Sequence, residues 1–242
     1  MVQAGPFPNN EGRTASASDL HLSAYDQKKA QVLYPPCPIA STGELKCKAL
    51  IPRGGTLREF LLFSRSGRTD ANWSSLHDAG RLDIVHECIV SALFLSHGLR
   101  KDVVFHVVLN GPPNPPRHIA IDGQTLHDVR TDQQTWMTIL RKTLTGKTHP
   151  GITTDRTGFE TLVKGKSESS QILVLEEDGI PLQQVEFIGN PLFILGDHIG
   201  LPQTAEKFAL RYGEKVSLGK TPYLAAHCIT ILNHHLDGRE RY

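Results

Sequence analysis

The distribution of apolar positions divides the chain at about residue 57. Upstream, Pro, Ser, Asn and Gly recur, the run Pro35-Pro36-Cys37-Pro38 excludes helix, and no apolar periodicity persists. From Leu57 onward, short apolar runs alternate with amphipathic stretches, the signature of an α/β sheet domain. Residues 1–56 are therefore expected to be a disordered N-terminal extension, or a gene start placed too early with the true start at Leu57. Residues 57–242 are expected to form the folded domain.

Within that domain Leu57 to Phe63 reads as a strand. Arg81 to Ser96 reads as a helix, because Leu82, Val85, Ile89, Ala92 and Leu93 recur at helical spacing, and Gly98 suits a left-handed cap after it. Val103 to Leu109 is nearly continuous in apolar residues, as in a strand covered on both faces. A rigid Gly111 to Pro116 loop follows, then a strand at Ile119 to Ile121, a helix from Asp132 to Leu144 and a short helix at Phe159 to Val163. Three strands come next, Gln171 to Leu175, Leu192 to Leu195 and Lys215 to Leu218. The last helix is expected from Pro222 to Leu236, with Thr221 as N-cap and Leu224, Cys228, Leu232 and Leu236 along its buried stripe. This order suggests a doubly wound sheet, whose ligands bind at the carboxyl ends of its strands. The informative loops are then those after Leu175, Leu195 and Leu218.

Composition narrows the class. With 242 residues and 39% hydrophobic content the chain can fill a core. It contains no run of roughly 18 apolar residues and no apolar signal-peptide run near its start, so no membrane association and a cytoplasmic location are expected. Cys37, Cys47, Cys88 and Cys228 are widely spaced, which indicates neither zinc site nor disulfide framework. The formal charge is +1 and twelve histidines are near-neutral, so any RNA contact must be a local basic patch. Arg58, Arg65, Arg68, Arg100, Lys101 and Arg117 are the candidates for it. No metal is expected, because His227, His234 and His235 lack a carboxylate or cysteine at ligand spacing.

Dinucleotide, Walker, zinc-protease and nucleophile-elbow motifs are absent. What remains are two glycine-containing junctions, Leu195-Gly196-Asp197-His198-Ile199-Gly200 and Ser217-Leu218-Gly219-Lys220-Thr221-Pro222. Taken locally they are tight turns; as a pair at strand ends, their exposed amides and carbonyls could hold a nucleoside edge. Arg81 and Asp83 stand at the start of a helix, where Asp83 is favourable near the positive end of the dipole. The Asp197-His198 pair reads either as a loop brace or, through His198, as a base or a substrate contact.

Several segments together carry a resemblance. Leu57-Arg58-Glu59-Phe60, Gly80-Arg81-Leu82-Asp83, Leu95-Ser96-His97-Gly98-Leu99-Arg100, Asp102-Val103-Val104-Phe105, the Gly111 to Pro116 loop, Phe193 to Gly200 and His227 to Leu232 occur in this order. They resemble the archaeal tRNA pseudouridine-54 N1-methyltransferases of the SPOUT superfamily. The resemblance implies an α/β SPOUT fold with a parallel sheet and a C-terminal deep trefoil knot within about 171–238. It implies S-adenosylmethionine as cofactor, a homodimer, and tRNA as partner. By position, Leu175, Gly196, Leu218, Gly219, Lys220, Thr221, Pro222, Tyr223 and Cys228 would line the cofactor site. The stretch Gly219 to Tyr223 departs from archaeal members, which place the proline earlier, so backbone contacts are the firmer expectation there.

Because Arg81-x-Asp83-Ile84-x-His86 also resembles a sister family acting on ribosomal RNA, Asp83 is the implied acceptor of the N1 proton. Arg81 would contact phosphate or the ionised base. Two alternatives stay open: methylation of pseudouridine in ribosomal RNA, and a catalytically silent knotted RNA-binding protein.

Overall fold

The computed structural model describes residues 57–239; the expectations for residues 1–56 lie outside them. Seven strands form one mixed sheet in the order β6-β5-β4-β1-β8-β7-β9. These are β1 (Arg58–Ser64), β4 (Val103–Leu109), β5 (Arg117–Asp122), β6 (Ile152–Asp155), β7 (Ser170–Pro181), β8 (Asn190–Gly196) and β9 (Gly213–Ser217). The pairings of β1 with β4 and β8, and of β7 with β8 and β9, are parallel. At the other edge, β5 and β6 are added antiparallel, so the expected parallel sheet is parallel only in its larger part.

Strand alternation sends successive side chains to opposite layers. Phe60 and Leu62 join Phe105 and Phe193 beneath helices α1 (Leu82–Leu93), α2 (Gln133–Leu144) and α5 (Ala225–Arg239). Leu61 faces the other way, with Val108 and Ile194, toward α3 (Phe159–Lys166) and α4 (Gln203–Ala209). Both faces of β1, β4 and β8 are thus covered, which is why their sequences read as unbroken apolar runs.

Several expectations change. Helix α1 stops at Leu93, and Phe94–Leu95 (β2) turns back on Gly98–Leu99 (β3). Phe94 leaves the helix to set its ring edge-on to Trp136 at 6.4 Å, and Gly98 sits in that pair rather than in a left-handed cap. Helix α5 begins at Ala225, so Thr221 is not its cap and Pro222 is not its first residue. Its buried stripe is Ala226, Ile229, Leu232 and Asn233, whereas Leu224 is 61% exposed. Strand β7 runs well past Leu175, its register with β9 shifting between Leu175 and Ile180. The polar run Glu176-Glu177-Asp178-Gly179 reads as a loop in sequence; in the fold it is a bulge, with Leu175 before it and Ile180 after it both in register with Val216 of β9. A Cβ on Gly179 would come within 2.6 Å of the Val216 backbone, so only glycine permits that approach. The edge strand β6 and helix α4 were not foreseen.

Two expected phosphate contacts are spent internally. Arg58, 2% exposed, pairs with Asp102 at 2.9 Å and Asp237 at 2.8 Å, and Arg100 grips Asp237 through both carboxylate oxygens at 2.7 Å. These bonds tie β1 and the start of β4 to the end of α5. Among the described residues no helix is long and apolar enough to cross a membrane, and no group of three His, Cys, Asp or Glu side chains is placed to hold a metal ion.

Candidate cofactor and substrate site

A cavity of about 630 Å³ opens where β8 and β9 end and β7 bulges, bounded on its far side by the first turns of α1 and α5. That volume suits a nucleoside-sized ligand. Of the expected cofactor residues, Leu175, Gly196, Leu218, Gly219, Thr221, Pro222, Tyr223 and Cys228 line it. Lys220 does not; it is exposed and outside the wall. Pro222, Tyr223 and Leu224 lie ahead of α5 and form this wall instead of the helix's first turn.

Backbone geometry shapes the floor. A Cβ on Gly196 would meet Leu201 N at 2.2 Å and Gly200 C at 2.3 Å, so the Asp197–Gly200 turn folds directly onto the end of β8. Gly200 and Gly219 adopt φ of 85° and 118°, values that favour glycine. The Ser217 hydroxyl accepts from the Gly219 amide at 3.0 Å, fixing the second loop.

Asp197 braces the first loop. Its carboxylate accepts from the Arg65 amide at 2.7 Å and the Ile199 amide at 2.9 Å, while His198 Nδ1 stays 3.9 Å away. The loop-brace reading of the Asp197-His198 pair is therefore the one the geometry carries, and His198 is left on the cavity wall.

Arg81 lines the cavity from the α1 side, in a left-handed conformation with φ 67°. Its guanidinium binds Asp83, with Nε 3.0 Å from Oδ1 and Nη2 3.0 Å from Oδ2. Burial pushes the Asp83 carboxyl up, but the bonds and charge of Arg81 outweigh it and hold the group below the usual carboxylate range. Asp83 itself does not reach the cavity surface.

Cys228 packs on the wall with Sγ 3.8 Å from the Tyr223 carbonyl, and burial pushes its thiol up to about 11. A protonated thiol is a poor nucleophile, so its contribution is shape.

Sequence reasoning missed the acidic lining. Glu87, Glu176 and Glu177 all face the cavity. Burial and the neighbouring charge of Glu206 raise the Glu176 carboxyl. The helical spacing of Arg81, Ile84 and Glu87 was an available signal, since residues three apart share a helix face. Among the lining side chains, Arg81 is the one Lys or Arg, set among carboxylates. Such a wall is predominantly acidic and favours a positively charged group within.

Comparison with known proteins gives the same picture over the same residues. A family model described as "Putative SAM-dependent RNA methyltransferase" matches residues 57–241. A tRNA (pseudouridine(54)-N(1))-methyltransferase of Thermococcus kodakarensis is 35% identical over 198 residues, covering 75% of this chain and 100% of that protein. The enzyme of the same name from Methanocaldococcus jannaschii is 36% identical over 199 residues, covering 75% of this chain and 97% of the other. Among solved structures, Archaeoglobus fulgidus Nep1 bound to S-adenosylhomocysteine superposes with a TM-score of 0.59 over 76% of this chain and 99% of that one. At 15% identity this likeness concerns the fold.

Proposed function

Because the chain belongs to this family of SAM-dependent RNA methyltransferases, we propose that it transfers a methyl group from S-adenosylmethionine to N1 of pseudouridine in RNA, tRNA position 54 in particular. The observation that carries this reading is the match itself. It runs through the whole described domain, takes in the full length of the Thermococcus relative, and coincides with a cavity built from the loops where the cofactor was expected.

The residues fit the cofactor: two glycine-bearing loops leave the cavity open to a nucleoside-sized group, and acidic side chains offset a positive charge. Leu175, Gly196, Leu218, Gly219, Thr221, Pro222, Tyr223 and Cys228 would hold it, and Lys220, outside the wall, would not. When bound, S-adenosylmethionine supplies a sulfonium-activated methyl group. The chain supplies position and exclusion of water, which can account for much of the rate of an in-line transfer. Pseudouridine exposes an N1–H that must leave as the N–C bond forms. In this reading Arg81 contacts the target's phosphate or ionised base, and Asp83 receives or orients the proton once the substrate draws the guanidinium aside. The target base has to be turned out of its stack, which RNA loops permit more readily than duplex.

The reading extends to a SPOUT architecture over residues 57–242, with a trefoil knot within about 171–238, to a homodimer and to action in the cytoplasm. The parallel β8-β7-β9 order supports the first, and exposed Ile199, Tyr223 and Leu224 around the cavity support a second copy.

The test incubates the protein with labelled S-adenosylmethionine and matched tRNA transcripts carrying uridine or pseudouridine at position 54. Label confined to the pseudouridine transcript is expected. Equal labelling sinks the assignment, label in a ribosomal RNA fragment instead moves the substrate, and RNA retention without label leaves a binding protein.

A further inference from the structure

We propose that Asp197 is a positioning residue that transmits the set of the cofactor loop to Arg81. The consequence for catalysis rests on the methyl-transfer reading, while the coupling rests on geometry alone.

Asp197 directly follows Gly196, and its side chain is 3% exposed. A carboxyl group so buried requires hydrogen-bond partners, and it takes two backbone amides, those of Arg65 and Ile199. Its own amide donates to the Phe63 carbonyl at 3.2 Å, and its carbonyl accepts from the Gly200 amide at 2.9 Å. One residue therefore closes the loop after β8 and fastens it to the chain leaving β1.

The chain leaving β1 has no slack. The Ser66 hydroxyl donates to the Gly80 carbonyl at 3.0 Å. The Ser66 carbonyl lies where a Cβ would stand on either of two glycines, 1.8 Å from that of Gly80 and 2.2 Å from that of Gly111. Gly80 and Arg81 are consecutive left-handed residues, with φ of 70° and 67°. Arginine rarely adopts that conformation and keeps it only where its surroundings impose it. The Arg81 amide is fixed to the His77 carbonyl at 3.1 Å, and the Gly80–Ser66 contact holds the other side. A shift at Asp197 thus moves Arg65 and Ser66, and through Gly80 re-aims the guanidinium at the cavity. Asp197 lies among the residues lining the cavity, but its carboxylate is taken up by the two backbone amides, so in this proposal it acts through Arg81.

The test uses Asp197→Asn, in which an amide nitrogen must face one of the two backbone donors. At saturating cofactor, kcat is expected to fall at least about tenfold while S-adenosylhomocysteine affinity stays within about threefold. Arg81→Ala should cost at least about tenfold in the wild type but less than about threefold on top of Asp197→Asn, since residues acting as a unit are non-additive. Independently of RNA, adding S-adenosylhomocysteine should slow amide exchange at Arg65 and Gly80–Ile84 in the wild type and not in the variant.

Multiplicative losses, or unchanged protection in Asp197→Asn, overturn the proposal. So does a parallel loss of cofactor affinity, kcat and Tm, which marks a merely structural brace. Should Asp197→Asn fail to fold, Ser66→Ala breaks the same path beyond the cofactor loop. It should remove the Arg81 dependence with cofactor affinity intact; retention of that dependence overturns the coupling. A wild type that shows the protection but methylates no RNA would instead refute the methyl-transfer reading.

Discussion

The guanidinium of Arg81 grips the carboxylate of Asp83 through two nitrogens, Nε and Nη2, each 3.0 Å from its oxygen, yet only Arg81 lines the cavity. The pair stands at the head of α1, and the left-handed turn at Arg81 brings a residue two places earlier in the chain back over the first helical turn. Asp83 is thereby kept ionised and Arg81 is kept aimed.

Asp83→Asn separates binding from chemistry. Cofactor affinity should stay near wild type, because Asp83 lies outside the cavity wall. Methyl transfer should fall about 10²- to 10⁴-fold if the carboxylate takes the proton, the usual worth of a general base. Single-turnover rates with bound cofactor measure this, and full activity removes Asp83 from the mechanism.

Gly196→Ala tests the floor of the site. The added methyl would stand 2.2 Å from Leu201 N and 2.3 Å from Gly200 C, both backbone, so the turn itself must move. S-adenosylhomocysteine affinity, measured calorimetrically, should drop at least about tenfold, or about 1.4 kcal/mol. Affinity unchanged from wild type would place the cofactor away from this loop.

A buried polar chain on the opposite sheet face sets an acid limit on stability. Glu59 Oε2 meets His106 Nε2 at 2.9 Å, His106 Nδ1 meets His118 Nε2 at 3.1 Å, and His118 Nδ1 meets Asp155 Oδ2 at 3.1 Å. Lys166 also pairs with Glu59, and Ser170 donates to its other oxygen at 2.9 Å. Burial pushes the Glu59 carboxyl up, but the His106 bond and the Lys166 charge prevail and hold it at about 2. Burial keeps His106 below its usual 6.5 despite the Glu59 bond. Both folded values are depressed, so the unfolded chain binds more protons on acidification, and both contributions are present above the unfolded values. Thermal stability should therefore begin to fall below pH 6.5 through His106, and fall further between 4.5 and about 2 through Glu59. Glu59→Gln should cost on the order of 3 kcal/mol at neutral pH and flatten the lower limb, as followed by Tm against pH. A lower limb unchanged in the variant would show that Glu59 does not carry it.

The acid chain illustrates what could not be read in advance. Glu59, His106, His118 and Asp155 sit on four strands, and nothing in their spacing shows that those strands are neighbours. The same holds for Glu176 and Glu177. They look like loop residues until β9 pairs with the backbone around them and a bulge turns them toward the cavity. Arg58 and Arg100 are ordinary basic residues in sequence, and only the arrival of Asp237 from α5 removes them from the RNA-facing set.

By itself the sequence determined the strands β1, β4 and β8, whose two-sided burial demands apolar runs, and the glycine junctions at Gly196 and Gly219. The order of its matching segments also pointed to the family. Tertiary structure alone decided where helices begin and end: Phe94 leaves α1 for Trp136, and Pro222 to Leu224 leave α5 for the cavity wall. It also decided that Arg81, rather than Asp83, faces that cavity. The physical reason is range. Periodicity and turn chemistry act over a few residues, whereas the register of β7 with β9 and the Asp197–Arg65 bond join residues far apart in the chain, and those contacts aim the side chains.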